Sequence, residues 1–214
     1  MSIQTIVNTA AKINIDRRRV VGQTVSRSQR IKTSERASAQ PWKLTVTPAP
    51  VYTWDTARTM VEYIMTADRN TEVNVQLSDN PKMSFLTEYT GKMTPSQLSA
   101  LTITNFTGTT MTVGGLPSIS SSTIMFQAGD FIQPINSRYP YVVTQPVVRG
   151  TSSTIVLSTN RPRITSEATT VTGHVLVGTA TSFVCVITQL PTYEFGQHNR
   201  VNFTGDFELV EKIV

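Results

Sequence analysis

The chain has 214 residues, of which only 15% are charged, and it carries a net charge of +5 with a single cysteine. That length holds one large domain or two small ones, with ample chain for a core. No apolar run approaches the roughly 20 residues that span a bilayer, and a lone cysteine excludes a disulfide framework or a cysteine-based metal site.

The first residues, MSIQTIVNTAAKINIDRRR, lack the charged-then-apolar order of a secretory leader. Charge is unevenly placed. Nine basic residues lie from Lys12 to Lys43 against Asp16 and Glu35, so this stretch carries +7; ten basic against twelve acidic residues leave the remainder at −2. Residues 1–40 read as a basic N-terminal arm, in which Ile13, Ile15 and Val20-Val21 suit short strands and 27–40 suits an extended or loop segment. Its candidate interface residues are Arg17, Arg18, Arg19, Arg27, Arg30, Lys32 and Arg36. Such clusters can neutralise phosphates and release counterions. However, no aromatic residue lies between Met1 and Gln40 to stack on bases, and no zinc-finger or recognition-helix pattern is present. The arm therefore favours docking on an acidic protein neighbour over direct nucleic-acid recognition. Glu194, Asp206, Glu208 and Glu211 offer such a surface near the C-terminus.

Residues 41–77 organise the chain. Trp42, Leu44 and Val46 alternate with Lys43, Thr45 and Thr47, the period of a half-buried strand. Pro48 and Pro50 stop it, because proline cannot donate to the ladder. Thr53 stands at an N-cap position and Asp55 in the first turn, where its charge suits the helix dipole. Ala57, Met60, Val61, Ile64 and Met65 then predict a helix over 54–68, closed by Asp68-Arg69-Asn70. Val73, Val75 and Leu77 alternate again. The helix is expected to lie on a sheet made by nearly everything else.

Asn80-Pro81 marks a turn, and Pro95-Ser96 opens a new composition. Over 97–164 about five short β-type runs, one centred on Gly129-Asp130, suggest a small barrel or sandwich. Residues 94–165 read as an inserted β-domain, and 41–93 with 166–214 as a β-rich frame. The frame resumes in two strands with Gly173 and Gly178 as bulges or bends. The first of these carries His174 and the second Cys185, a small buried hydrophobe in the run Phe183-Val184-Cys185-Val186-Ile187, as befits a chain made in a reducing cytoplasm. Residues 191–200 read as a loop carrying Tyr193 and Phe195, and VNFTGDFELVEKIV as a final strand or hairpin turning at Gly205-Asp206. The expected fold class is mainly β with one prominent α-helix (α+β). It comprises a β-sandwich or barrel-like frame plus a small inserted β-barrel or sandwich domain.

No constellation for catalysis emerges. His174 and His198 have no neighbour at a metal-ligand spacing. There is no Gly-x-Ser-x-Gly elbow, and Gly114-Gly115 precedes neither a helix nor a lysine. Asp130 and Glu167 suggest no acid/base pair, and Asp130 suits a turn with Gly129. No enzyme activity, cofactor or metal is expected.

The order of segments resembles tail proteins of long-tailed bacteriophages, of the distal tail or baseplate-hub type. The resemblance rests on RIKTSERASAQPWKLTV (30–46), where a polar arm leads into an aromatic strand before the helix. AGDFIQP (128–134), YPYVVTQPV (139–147), LSTNRPRI (157–164) and the closing VNFTGDFELVEKIV add to it. It implies a homo-oligomeric structural subunit at the tail tip or baseplate, forming a symmetric ring that joins the tail tube to hub, spike or fibres. Its partners would be itself and other tail proteins, with no membrane, in a virion assembled in the host cytoplasm. Two other readings remain: a nucleic-acid-binding structural protein acting through the arm, and a carbohydrate-binding host-recognition module acting through the insert. In the last, Tyr139 and Tyr141 would stack on sugars, unless both pack the insert's core or an interface.

Overall fold

A computed structural model of the chain describes residues 2–16, 21–25, 31–35, 40–67, 69–78, 80–165 and 172–213, with the backbone pairing alone for 21–25 and 31–35. It is mainly β with few helices. Helix α1 (Ile3–Thr9) leads into β1 (Lys12–Asp16), followed by β2 (Val21–Val25), β3 (Ile31–Glu35), β4 (Lys43–Thr47), β5 (Val51–Thr53), α2 (Trp54–Thr66) and β6 (Val73–Val75). Beyond α3 (Pro95–Leu98) come β7 (Thr102–Thr107), β8 (Thr110–Gly114), β9 (Ile124–Phe126), β10 (Phe131–Pro134), β11 (Tyr141–Val142), β12 (Val147–Val148) and β13 (Ile155–Ser158). The chain closes with β14 (Gly173–Val177), β15 (Phe183–Gln189), β16 (Thr192–Gly196), β17 (Arg200–Thr204) and β18 (Phe207–Glu211).

Two larger sheets carry the fold, one of five strands in the order β1-β4-β18-β15-β6 and one of six in the order β11-β10-β14-β7-β8-β13. Alternation sets the first. Leu44 and Val46 on β4, Phe183, Cys185 and Ile187 on β15, and Phe207 and Leu209 on β18 are all buried and share one face. A slip of one residue would turn that whole set to water, so the register is strongly specified. Helix α2 supports the apolar side through buried Ala57, Met60 and Val61, whereas Met65 is 70% exposed. Its expected cap works differently: Thr53 has extended backbone without a side-chain cap, and the Trp54 N–H donates to the Asn199 carbonyl at 2.8 Å. A neighbouring hairpin thus satisfies one of the helix's orphan donors. Asp68, the expected stop, lies outside the described residues; the helix ends at Thr66, whose hydroxyl donates to the Glu62 carbonyl at 2.7 Å.

Several expectations from sequence change. Residues 3–16 are not part of an arm: Ile3, Ile6 and Val7 place a helical apolar stripe in the first core, and β1 pairs with β4. The high charge that follows masks this short pattern. Arg27 and Arg30 lie outside the described residues, but between them and Arg36 the chain is paired, β3 running antiparallel to β2. Strand β14 belongs to the insert's sheet rather than the frame, paired with β7 and β10. Residues 191–200 are not a loop, because β16 pairs with β17 through a turn in which His198 and Asn199 both have φ 59°. Nor do β17 and β18 form a hairpin. The chain leaves a three-stranded sheet, β16-β17-β5, at Gly205 (φ 88°) and enters the five-stranded one.

Two apolar clusters result. One contains Trp42, Phe183 and Phe207; the other contains Phe106, Phe126, Tyr139 and Tyr141. Phe131 and Val142, on β10 and β11, belong to the first, so the insert contributes to the frame's core. Excising 94–165 should therefore leave β14 without its neighbours and uncover Trp42. The truncated chain is expected to lose its cooperative urea transition, and a sharp transition would show that the frame stands alone.

Candidate assembly surfaces

Arg17, Arg18, Arg19, Arg27, Arg30 and Arg36 lie outside the described residues, and of Lys32 only its place on β3, opposite Thr24, is described. Glu167 is likewise outside. His174 is half-buried on β14 and His198 is exposed in the β16–β17 turn. Among the described residues no three His, Cys, Asp or Glu side chains gather to hold a metal, and no helix is long and apolar enough to cross a membrane. Cys185 is fully buried, and burial pushes its thiol well above the ordinary value. Asp130 holds its turn as expected. It accepts from the Gln127 N–H at 2.7 Å and, from across the fold, the Thr90 N–H at 2.8 Å and hydroxyl at 2.7 Å.

Tyr139 and Tyr141 are core residues, 0% and 1% exposed, with the Tyr141 ring edge-on to Phe106 at 4.8 Å. Neither presents a face to a sugar. They wall one side of a buried ion pair instead. Arg161 donates to both carboxylate oxygens of Glu211, from Nη1 at 2.5 Å and Nη2 at 2.8 Å, and also to the carbonyls of Gln40 (2.9 Å) and Pro140 (2.7 Å). Glu211 additionally accepts the Trp42 backbone N–H at 3.1 Å, and the Trp42 indole N–H donates to Pro140 at 3.3 Å. The guanidinium lies 5.2–5.9 Å from the ring centroids of Trp42, Tyr139 and Tyr141. The pair thus joins the strand that ends the frame to the segment that follows β13.

The C-terminal acids do not form a free acidic face. Glu211 is enclosed in this pair, and Glu208 meets Lys43 on the neighbouring strand at 2.8 Å. Nearby, exposed Glu72 binds Lys212 at 3.0 Å and Arg138 of the insert, a second tie between the two parts. These contacts, Lys212 first and then Arg138, hold the Glu72 carboxyl below its ordinary value. A depressed carboxyl contributes stability above its unfolded-state value, lost as pH falls through the folded one.

A different surface emerges at the three-stranded sheet. Tyr193 and Phe195 alternate with Glu194 and Gly196, and the register sets Tyr193 against Phe203 and Phe195 against Val201. Val201 and Phe203 are buried, while Phe195, at the sheet's end, is 66% exposed. Its ring stands edge-on to Trp54 at 5.4 Å and to Tyr193 at 5.6 Å. In the sequence the run TYEFG is short, and the flanking Pro191 and the polar Gln197-His198-Asn199 favour a loop.

No protein-family model matches the chain, and no curated protein is detectably similar to it.

Two outcomes test the joint. Arg161→Ala leaves a buried carboxylate unpaired and should cost about 3–5 kcal/mol in equilibrium unfolding, whereas the double replacement Arg161→Met with Glu211→Leu should recover most of that loss. Glu72→Gln should lower stability near neutrality and leave it little changed at low pH, flattening the acid limb of the stability–pH curve. Equal acid sensitivity of the variant and parent would show that Glu72 makes no difference there.

Proposed function

We propose that the protein is a non-enzymatic structural subunit of a phage tail tip or baseplate, forming a homo-oligomeric ring between the tail tube and the hub, spike or fibres. The observation that carries this reading is the way the chain spends its buried polar groups. Arg161, Glu211, Trp42 and Asp130 all bond within the fold, holding a β-rich frame against a small β-module. A two-part body held together in this way suits a job done by outward surfaces. Exposed Val51, Phe195, Val148 and Val156 and the open strand edges supply such surfaces. The segment order that resembles distal tail or hub proteins supports the same assignment.

In this reading the basic residues from Arg17 to Arg36, seven against the single acid Glu35, strap a neighbouring tail protein. Exposed single pairs contribute only about 0.2–1 kcal/mol each, so the strap works through many contacts together. The carbohydrate alternative loses its two stacking tyrosines to the core.

Imaging of the assembled particle, with mass photometry of the purified chain, tests the ring. Closed symmetric contacts between copies are expected; a chain that is monomeric both in isolation and in the particle overturns the reading. Replacing Arg17, Arg18 and Arg19 with Ser should weaken assembly at moderate salt while leaving the monomer folded, and loss of DNA retention with normal assembly would favour the nucleic-acid alternative.

A further inference from the structure

Strand β16 has a partner on one side only among the described residues: β17 occupies its inner edge, and Thr192, Glu194, Phe195 and Gly196 are exposed. An open row of backbone donors and acceptors is a template for another strand, and natural edges are usually blunted by lysine, proline or a bulge. The sequence TYEFG has no lysine or proline, and its pairing with β17 runs without a register shift.

We propose that β16 pairs antiparallel with β16 of a second copy, about a two-fold axis through Phe195. This register sets Phe195 against Phe195 and Glu194 against Gly196 of the second copy. Within each copy Gly196 lies opposite Arg200 and Glu194 opposite Asn202. One lane of the joined sheet therefore runs Asn202, Glu194, then the second copy's Gly196 and Arg200. Gly196 has no side chain, and a Cβ placed there would lie 3.8 Å from the Arg200 Cβ. Arg200 can thus lean across the gap to the carboxylate, and the two-fold axis repeats the contact. On the other face two Phe195 rings meet, each already edge-on to its own Trp54.

The same charges select this register and this occupant. An axis through Glu194 would set two carboxylates opposite each other, which is destabilising, and one through Tyr193 would leave Phe195 facing Pro191. The surface is complementary to itself, as a two-fold contact requires. The contact is small, so the association is weak and concentration-dependent. It does not rest on the tail reading, because it joins copies in pairs whatever larger assembly they enter.

Sedimentation of the full chain tests it, with a monomer–dimer equilibrium expected below roughly 100 μM. Glu194→Arg and Arg200→Glu should each weaken self-association by roughly tenfold, and the two together should restore it. Directly opposed residues approach to about 4.5–5.5 Å between Cβ atoms. Phe195→Cys should therefore form a disulfide-linked dimer under mild oxidation, while Thr192→Cys stays monomeric. The proposal is overturned by a chain that stays monomeric over that range. A dimer indifferent to both charge reversals, with the Phe195→Cys thiol left reduced, overturns it too. A dimer that responds as expected, in a chain that forms no ring in any particle, defeats the tail reading and leaves this contact standing.

Discussion

Arg161 and Glu211 stand 50 residues apart in the chain and meet where almost no water reaches, their side chains 4% and 0% exposed. Removing two ions from water costs several kcal/mol each, and their attraction offsets that only when the geometry is good and the remaining hydrogen-bonding capacity is used. Here the fork of the guanidinium meets both carboxylate oxygens, and backbone groups from Gln40, Pro140 and Trp42 take most of the rest. Such a pair adds little net stability over well-packed apolar residues. What it does is penalise every arrangement in which one ion is buried without the other. The frame and the module are thereby committed to one relative placement.

The surrounding rings strengthen that commitment. Trp42 lies 5.5 Å from Phe131 and 5.9 Å from Phe183, so a single indole touches an aromatic side chain of each part. Arg161 lies against the same indole and the two tyrosines, where a cation gains from the ring quadrupoles once water is excluded. β18 carries the consequence outward. Glu211 is its last residue, and β18 lies between β4 and β15, so anchoring it orders the centre of the five-stranded sheet. Glu72, Arg138 and Lys212 add a looser tie near the surface, where solvent screens the charges.

Local periodicity made the individual elements legible, and long-range partners mostly did not. The strand at Leu44 and Val46, the helix from Trp54 and the turn at Gly129-Asp130 follow from alternation, helical spacing and turn chemistry, each contained within a few residues. β14 reads as a strand, but Val175 and Val177 would suit either sheet, and only its pairing with β7 and β10 decides. Glu211 looked like one of several exposed tail acids because its partner is 50 residues upstream and nothing near it in sequence announces burial. The open edge at β16 was hidden for a related reason. In a run of five residues between a proline and a polar turn, only Tyr193 and Phe195 mark the alternation, too few to stand out.

The internal use of the C-terminal acids also constrains what a basic arm can reach. Of Glu194, Asp206, Glu208 and Glu211, the last is buried with Arg161 and the third is engaged by Lys43. Glu194 lies on the strand proposed to face a second copy, where Arg200 competes for it. On the outer side of α2, exposed Asp55 and Glu62 flank exposed Arg58, which reduces their net attraction. The seven basic residues from Arg17 to Arg36, set against Glu35 alone, thus meet no concentrated acidic surface among these residues of their own kind. Electrostatic complementarity acts chiefly on encounter rate and partner choice. On the proposed reading, an arm with this imbalance suits a chemically different, acidic partner better than another copy of this chain, and self-association falls to the sheet edge proposed above.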